Sequence, residues 1–270
     1  MSDAARLEYR NVTMRFAERG GKGTLTAVRG VSFAVTDCEV VSLIGPSGCG
    51  KSTLLNIGSG LAAPSEGEAC VDGHHVEGPN AHVAFMLQKD LLLPWRTVAE
   101  NVMFGGEIQG VPMTERKRRA QALLEKLNLA EFSGHYPHQL SGGMRQRVAL
   151  ARTLAVDPHV LLLDEPFSAV DAQTRIVLQR DLAKTLRATQ KTALLITHDL
   201  LEAVTLSDRV LVMSRRPGTI VDEIAIDMPQ RDDPIARRAD PKVNSYVARL
   251  MDRLDIAHAS LEQPAGGPHE

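Results

Sequence analysis

Residues 45–53 read GPSGCGKST, and residues 160–165, VLLLDE, end an apolar run on two acids. The first stretch has the spacing G-x-x-x-x-G-K-[ST], in which backbone N–H groups surround phosphates, Lys51 reaches the terminal ones and the Ser52 hydroxyl can sit on Mg2+. Asp164, at the carboxyl end of a buried strand, stands where an acidic group would hold that Mg2+ through water. Glu165 beside it offers the second carboxylate that a general base or water-orienting group needs. A third stretch, QLSGGMRQ (139–146), puts Ser141, Gly142 and Gly143 at the start of a helical pattern, which is a further anion cradle. One nucleotide needs one cradle, so the second raises the question of whose phosphates it meets.

The elements that would position these residues follow from periodicity. The first forty residues alternate apolar and polar side chains, as in Leu7, Tyr9 and Val31, Phe33, Val35, and predict half-buried antiparallel strands. Val40 to Ile44 is a continuous apolar run of the kind buried on both faces of a parallel sheet, and it leads into the glycine-rich loop and a helix from Lys51 to about Leu61. A turn-rich stretch with one short strand comes next, then a strand at 82–87. Helical periodicity takes over from Thr97 to about Leu129, and with the helix after SGG it forms a helical lobe over about 97–156. Strand and crossover helix then alternate again: VLLLD (160–164), a helix from about Asp171 to Thr189, ALLIT (193–197), a helix over LLEAVTLS and RVLVMS (209–214). That order predicts an α/β fold with a mainly parallel sheet and helices on both faces. TIVDEIAI (219–226) is a late strand; QRDDPIARRADP is charged and broken by Pro234 and Pro241, and a short amphipathic helix comes after it. One domain is expected over 1–230, a linker with a short helix over 231–256 and a disordered tail over 257–270.

Composition leaves several classes without support. The net charge is −2, which gives no electrostatic case for nucleic acid as the partner. No stretch approaches the roughly 18 consecutive apolar residues of a membrane span, and MSDAARLEYR lacks the basic-then-apolar pattern of a secretory signal. A cytosolic chain is expected. Cys38, Cys49 and Cys70 are too few and too irregularly spaced for a disulfide framework, and Cys49 is not expected to act as a nucleophile. Lys117, Arg118 and Arg119 read as a solvated helix face, and His74 and His75 sit in a turn with no further ligand at metal spacing.

The order GPSGCGKST, Gln88, LSGGM, VLLLDEP, SAVD and His198 resembles the ATP-binding subunit of ABC transporters, and LSGG upstream of VLLLDEP is highly specific to that superfamily. The resemblance covers nearly the whole chain. It implies a P-loop NTPase fold, a RecA-like mainly parallel sheet with an N-terminal antiparallel β subdomain and the inserted helical lobe carrying the signature. It also implies ATP and Mg2+ as cofactors. Gly45, Pro46, Ser47, Gly48, Cys49, Gly50, Lys51, Ser52 and Thr53 would then cradle the nucleotide, with Ser52, Gln88 and Asp164 toward the metal. Phe16, by itself an ordinary core aromatic, would stack on adenine. Gln88 would sense the Mg2+ and attacking water, and His198, by itself a capping or core histidine, would contact the γ-phosphate.

In similar proteins Ser141, Gly142, Gly143 and Asp171 face the nucleotide of a second subunit, so the resemblance implies a head-to-tail homodimer around two ATP molecules. KDLLLPWRTVAENV (89–102) places Leu91, Leu92, Leu93, Pro94 and Trp95 on a loop that either packs within the lobe or forms a binding patch. Similar importers use this region to receive a helix of a multi-span permease, fed by an extracytoplasmic solute-binding protein. The subunit would then lie on the cytoplasmic face of the inner membrane. LPWRTV, LSGGMRQRVALAR and RRPGTIVDEI look most like the nitrate, sulfonate, taurine and bicarbonate importers. SAVD in place of SALD, Met144 after LSGG and Gly58-Ser59 depart from the commoner pattern, and Gly58 would weaken its helix by up to ~1 kcal/mol relative to Ala. A soluble ABC ATPase acting on DNA or ribosomes, and a P-loop kinase or GTP switch, are the competing readings. The solute is not legible, because this subunit never touches it.

Overall fold

The computed structural model describes residues 4–17, 23–168 and 170–259. Strands β1 (Ala5–Ala17) and β2 (Thr24–Thr36) pair antiparallel, and β3 (Val40–Ile44) runs into helix α1 (Lys51–Gly58). Strands β4 (Glu66–Val71) and β5 (His74–His75) complete a four-stranded antiparallel sheet in the order β2-β1-β4-β5. The turn-rich stretch therefore holds two strands where one was expected.

Strand β6 (Val83–Met86) precedes helices α2 (Val98–Ile108), α3 (Met113–Lys126) and α4 (Gly142–Ala155), and β7 (Val160–Asp164) follows them. After β7 come α5 (Ala172–Ala188), β8 (Thr192–Ile196), α6 (Leu200–Leu206), β9 (Arg209–Met213) and β10 (Ile220–Ala225). The second sheet has the order β10-β9-β3-β8-β7-β6, parallel except for the antiparallel edge strand β10. Since β6 and β7 are neighbours, the helical lobe is an insertion between adjacent parallel strands.

The unbroken apolar runs follow from burial on both faces. In β7, Leu161 and Leu163 face a core shared with the lobe and α5, whereas Val160 and Leu162 face a core shared with α1 and the antiparallel sheet. A polar residue at any of these positions would lack a partner.

Helix α1 is shorter than periodicity suggested and stops at Gly58. The reason for Gly58 is contact: a Cβ there would lie 2.3 Å from the Tyr9 hydroxyl. That hydroxyl donates to the Leu54 carbonyl at 2.8 Å, so the missing side chain lets β1 lie directly on the helix.

At the C-terminal end, the charged break contains a helical turn, α7 (Pro234–Arg238). Asp233 caps it by accepting from the Ile235 and Ala236 amides, with Pro234 at the first helical position. Helix α8 (Lys242–Ala259) runs past the boundary at 256, and residues 260–270 of the expected tail lie outside the described residues. Val243 and Leu250 of α8 pack with Val204, Val210 and Val212 of the main domain.

Candidate functional site

Strand β3 delivers the chain into the loop 45–50, and α1 starts at Lys51. At Gly50, φ is +105° and a Cβ would lie 2.3 Å from Val28 Cγ1, so the turn into α1 admits only glycine. The Lys51 ammonium donates to the carbonyls of Gly45 at 2.8 Å and Pro46 at 3.0 Å, which holds it over the loop. Gly48, Gly50, Ser47, Lys51, Ser52 and Thr53 line a cavity of about 280 Å3 together with Phe16, Glu165 and Arg216. Phe16 is 44% exposed on that cavity, so it is no core aromatic. Burial pushes the Cys49 thiol up, which suits a packing residue.

Asp164 ends β7 beside Ser52. Burial pushes its carboxyl above the usual range; a bond to Ser52 and the charge of Lys51 act in the other direction, and Glu165 adds to the rise. A part-buried carboxyl whose charge is costly, next to a hydroxyl and a second carboxylate, is an oxygen-donor set that a hard divalent cation relieves. The residues present therefore fit Mg2+.

Three loops meet beside it. Glu165 follows β7 with φ +45°, and its Oε2 accepts from Gln88 Nε2 at 3.1 Å and lies 3.3 Å from His198 Nδ1. Gln88 follows β6 and His198 follows β8, so these side chains come from the carboxyl ends of three adjacent parallel strands. The left-handed Glu165 backbone is held by its amide, which donates to the Ile196 carbonyl at 3.0 Å. Sequence reasoning missed the residues that fix Gln88. Its amide also donates to Ser168 Oγ at 3.3 Å, and its carbonyl accepts from Gln146 of α4 at 3.2 Å. Arg216 was missed too: from the turn between β9 and β10 it donates to the Gly48 carbonyl at 2.9 and 3.0 Å. Only the pairing of that turn against β2 brings it there, through Arg29 and Gly218.

The second anion cradle lies elsewhere. Ser141 caps α4, accepting from the Met144 amide at 3.3 Å, and Asp171 caps α5, accepting from Gln173 and Thr174. A Cβ on Gly143 would lie 2.2 Å from Thr174 Cγ2, so the two caps form one exposed seam. Ser141, Gly142, Gly143 and Asp171 are absent from the lining of the cavity around Lys51.

Residues 28–168 match the family model described as ABC transporter. The chain belongs to the ABC transporter family. It is 45% identical over 228 residues to an ABC transporter ATP-binding protein of Methanocaldococcus jannaschii, covering 84% of this chain and 85% of that one. It is 43% identical over 254 residues to a taurine import ATP-binding protein of Burkholderia pseudomallei, covering 93% and 97%. A dimeric ATP-binding cassette solved in a post-hydrolysis state with ADP and Pi superposes with a TM-score of 0.72 at 31% identity, covering 82% of this chain and 99% of that one. The chain is thus an ATPase subunit coupled to transport.

In this ABC ATPase the apolar residues of the loop after Gln88 divide between core and surface. Leu92 is buried in the lobe, while Leu91 and Trp95 are exposed, Trp95 to 72%. The loop is clamped from α4, where Arg152 donates to the carbonyls of Asp90 and Leu91 and Arg145 pairs with Asp90 at 3.0 Å. No helix among the described residues is long and apolar enough to cross a membrane.

Proposed function

We propose that this subunit hydrolyses Mg2+-bound ATP to energise import of a small sulfonate such as taurine through a separate membrane permease. The meeting of Glu165, Gln88 and His198 beside the Lys51 loop carries the hydrolytic part, and the taurine import relatives support the solute class. Mg2+ supplies charge neutralisation at the transferred phosphate. Glu165 accepts the proton of the attacking water, Gln88 orients that water, Lys51 meets the terminal phosphates and His198 holds the γ-phosphate. Phe16 stacks on the adenine. Ser141, Gly143 and Asp171 act on the nucleotide of a second copy in a head-to-tail dimer. The exposed Leu91 and Trp95 receive the permease on the cytoplasmic face of the membrane, with an extracytoplasmic protein delivering the solute.

Glu165→Gln should bind ATP and hydrolyse it at least ~100-fold more slowly. Near-normal turnover would remove Glu165 from the role of base. For the solute, deletion of the gene should abolish uptake of labelled taurine and leave nitrate and bicarbonate uptake intact; the reverse pattern would shift the assignment within the importer group.

A further inference from the structure

The sequence showed His74 and His75 with no partner at metal spacing, but the fold brings other ligands together at the far end of the sheet. Asp72 lies in the β4–β5 turn, His82 precedes β6 and His159 precedes β7. The Nδ1 atoms of His82 and His159 lie 3.1 Å apart, and each approaches Asp72 Oδ2, at 3.1 and 2.6 Å. We propose that Asp72, His82 and His159 form a binding site for a divalent transition metal, zinc being the best fit, which ties the antiparallel sheet to the parallel one.

Ligand atoms about 2.0–2.2 Å from a tetrahedral zinc lie about 3.3 Å from one another. The two 3.1 Å separations therefore need to open by a few tenths of an ångström, and the His159–Asp72 separation by about 0.7 Å, to admit the ion. Two imidazoles and one carboxylate are a zinc donor set, and in such sites a fourth position stays open to water. The ligands are oriented independently of any ion. The Arg6 guanidinium donates to Asp72 Oδ1 at 2.8 Å, which leaves Oδ2 turned to the histidines. The amides of His159 and Val160 donate to the His82 carbonyl at 2.8 and 3.0 Å, and the His82 amide donates to Asn80 Oδ1 at 3.0 Å. Both rings keep an exposed edge, and the adjoining cavity is lined by His74, His75 and Asn80. The site sits at the amino ends of β6 and β7, whereas Gln88 and Glu165 follow their carboxyl ends.

The test is calorimetric titration of zinc chloride into full-length, nucleotide-free protein stripped with chelator and kept reduced. One zinc per chain is expected, and zinc at roughly a hundredfold excess over Kd should raise Tm by about 5–10 °C. His82→Ala and His159→Ala should each weaken binding at least ~10-fold, and the double variant should abolish it while its zinc-free Tm stays within a few degrees of the parent. Lys51→Ala, at the phosphate loop, should bind zinc like the parent. Absence of binding by the parent at micromolar zinc would overturn the proposal. So would zinc binding that survives the His82/His159 double variant but is lost with Lys51→Ala or with His74→Ala/His75→Ala.

Discussion

Glu165 illustrates what one residue can disclose. Its type and its place after an apolar run announced a carboxylate at a phosphate site, but not that its backbone would be left-handed or that Gln88 and His198 would both reach its Oε2. Glu202 carried no signal at all. It lies one turn into α6, 3% exposed, and accepts from Gln179 at 3.0 Å. Burial pushes its carboxyl up to about 7, opposed by a bond to Thr197 and reinforced by the charge of Asp199. Because the folded value lies above the ordinary one, the native state keeps a proton that the unfolded chain loses between about pH 4.5 and 7. The site's contribution to stability is present below that window and is lost as pH rises through it. Glu202→Gln stays neutral, so urea unfolding at about pH 5 and about pH 8 should show the variant gaining on the parent by roughly 2–3 kcal/mol at the higher pH. An equal difference at both values would mean that the buried carboxylate ionises without cost.

Among elements, those with strong periodicity were legible and those held by polar contacts were not. Strand β7 has the bounds that VLLLD predicted, and the ends of α5 fall at its cap Asp171 and at Thr189. Helix α7 escaped notice because its anchor is Arg237, a residue type that ordinarily faces water. Here it is 1% exposed and donates to the carbonyls of Thr205, Ser207, Met228 and Pro229. The loop after Gln88, clamped from α4 by Arg145 and Arg152, is also held from α2 by a buried polar side chain. Asn101, fully buried in α2, accepts from the Leu93 amide and donates to the carbonyls of Leu93, Arg96 and Thr97. Asn101→Ala would orphan these backbone groups and should cost about 2–4 kcal/mol in urea unfolding. Hydrogen exchange should place the loss at the Leu93 amide first; unchanged protection there would mean that α4 alone holds the loop.

At the scale of the whole molecule, the seam of Ser141, Gly143 and Asp171 is not part of the lining of the chain's own cavity, and the proposed head-to-tail dimer would give this second cradle a nucleotide to meet. Ser141→Arg should leave ATP binding by the monomer intact and lower hydrolysis by the dimer at least ~100-fold. Equilibrium binding and concentration-dependent turnover separate the two, and lost monomer binding would assign the loop to its own nucleotide. The sequence by itself determined the phosphate loop, the acidic pair, the signature and the alternation of strands and helices, because local spacing and periodicity encode them. Only the tertiary structure decided that Arg216 covers the loop at Gly48, that Gly58 clears room for Tyr9, and that Asp72, His82 and His159 converge. Each of these contacts joins residues from different strands or turns, and which strands become neighbours depends on how the whole chain shares its buried surface.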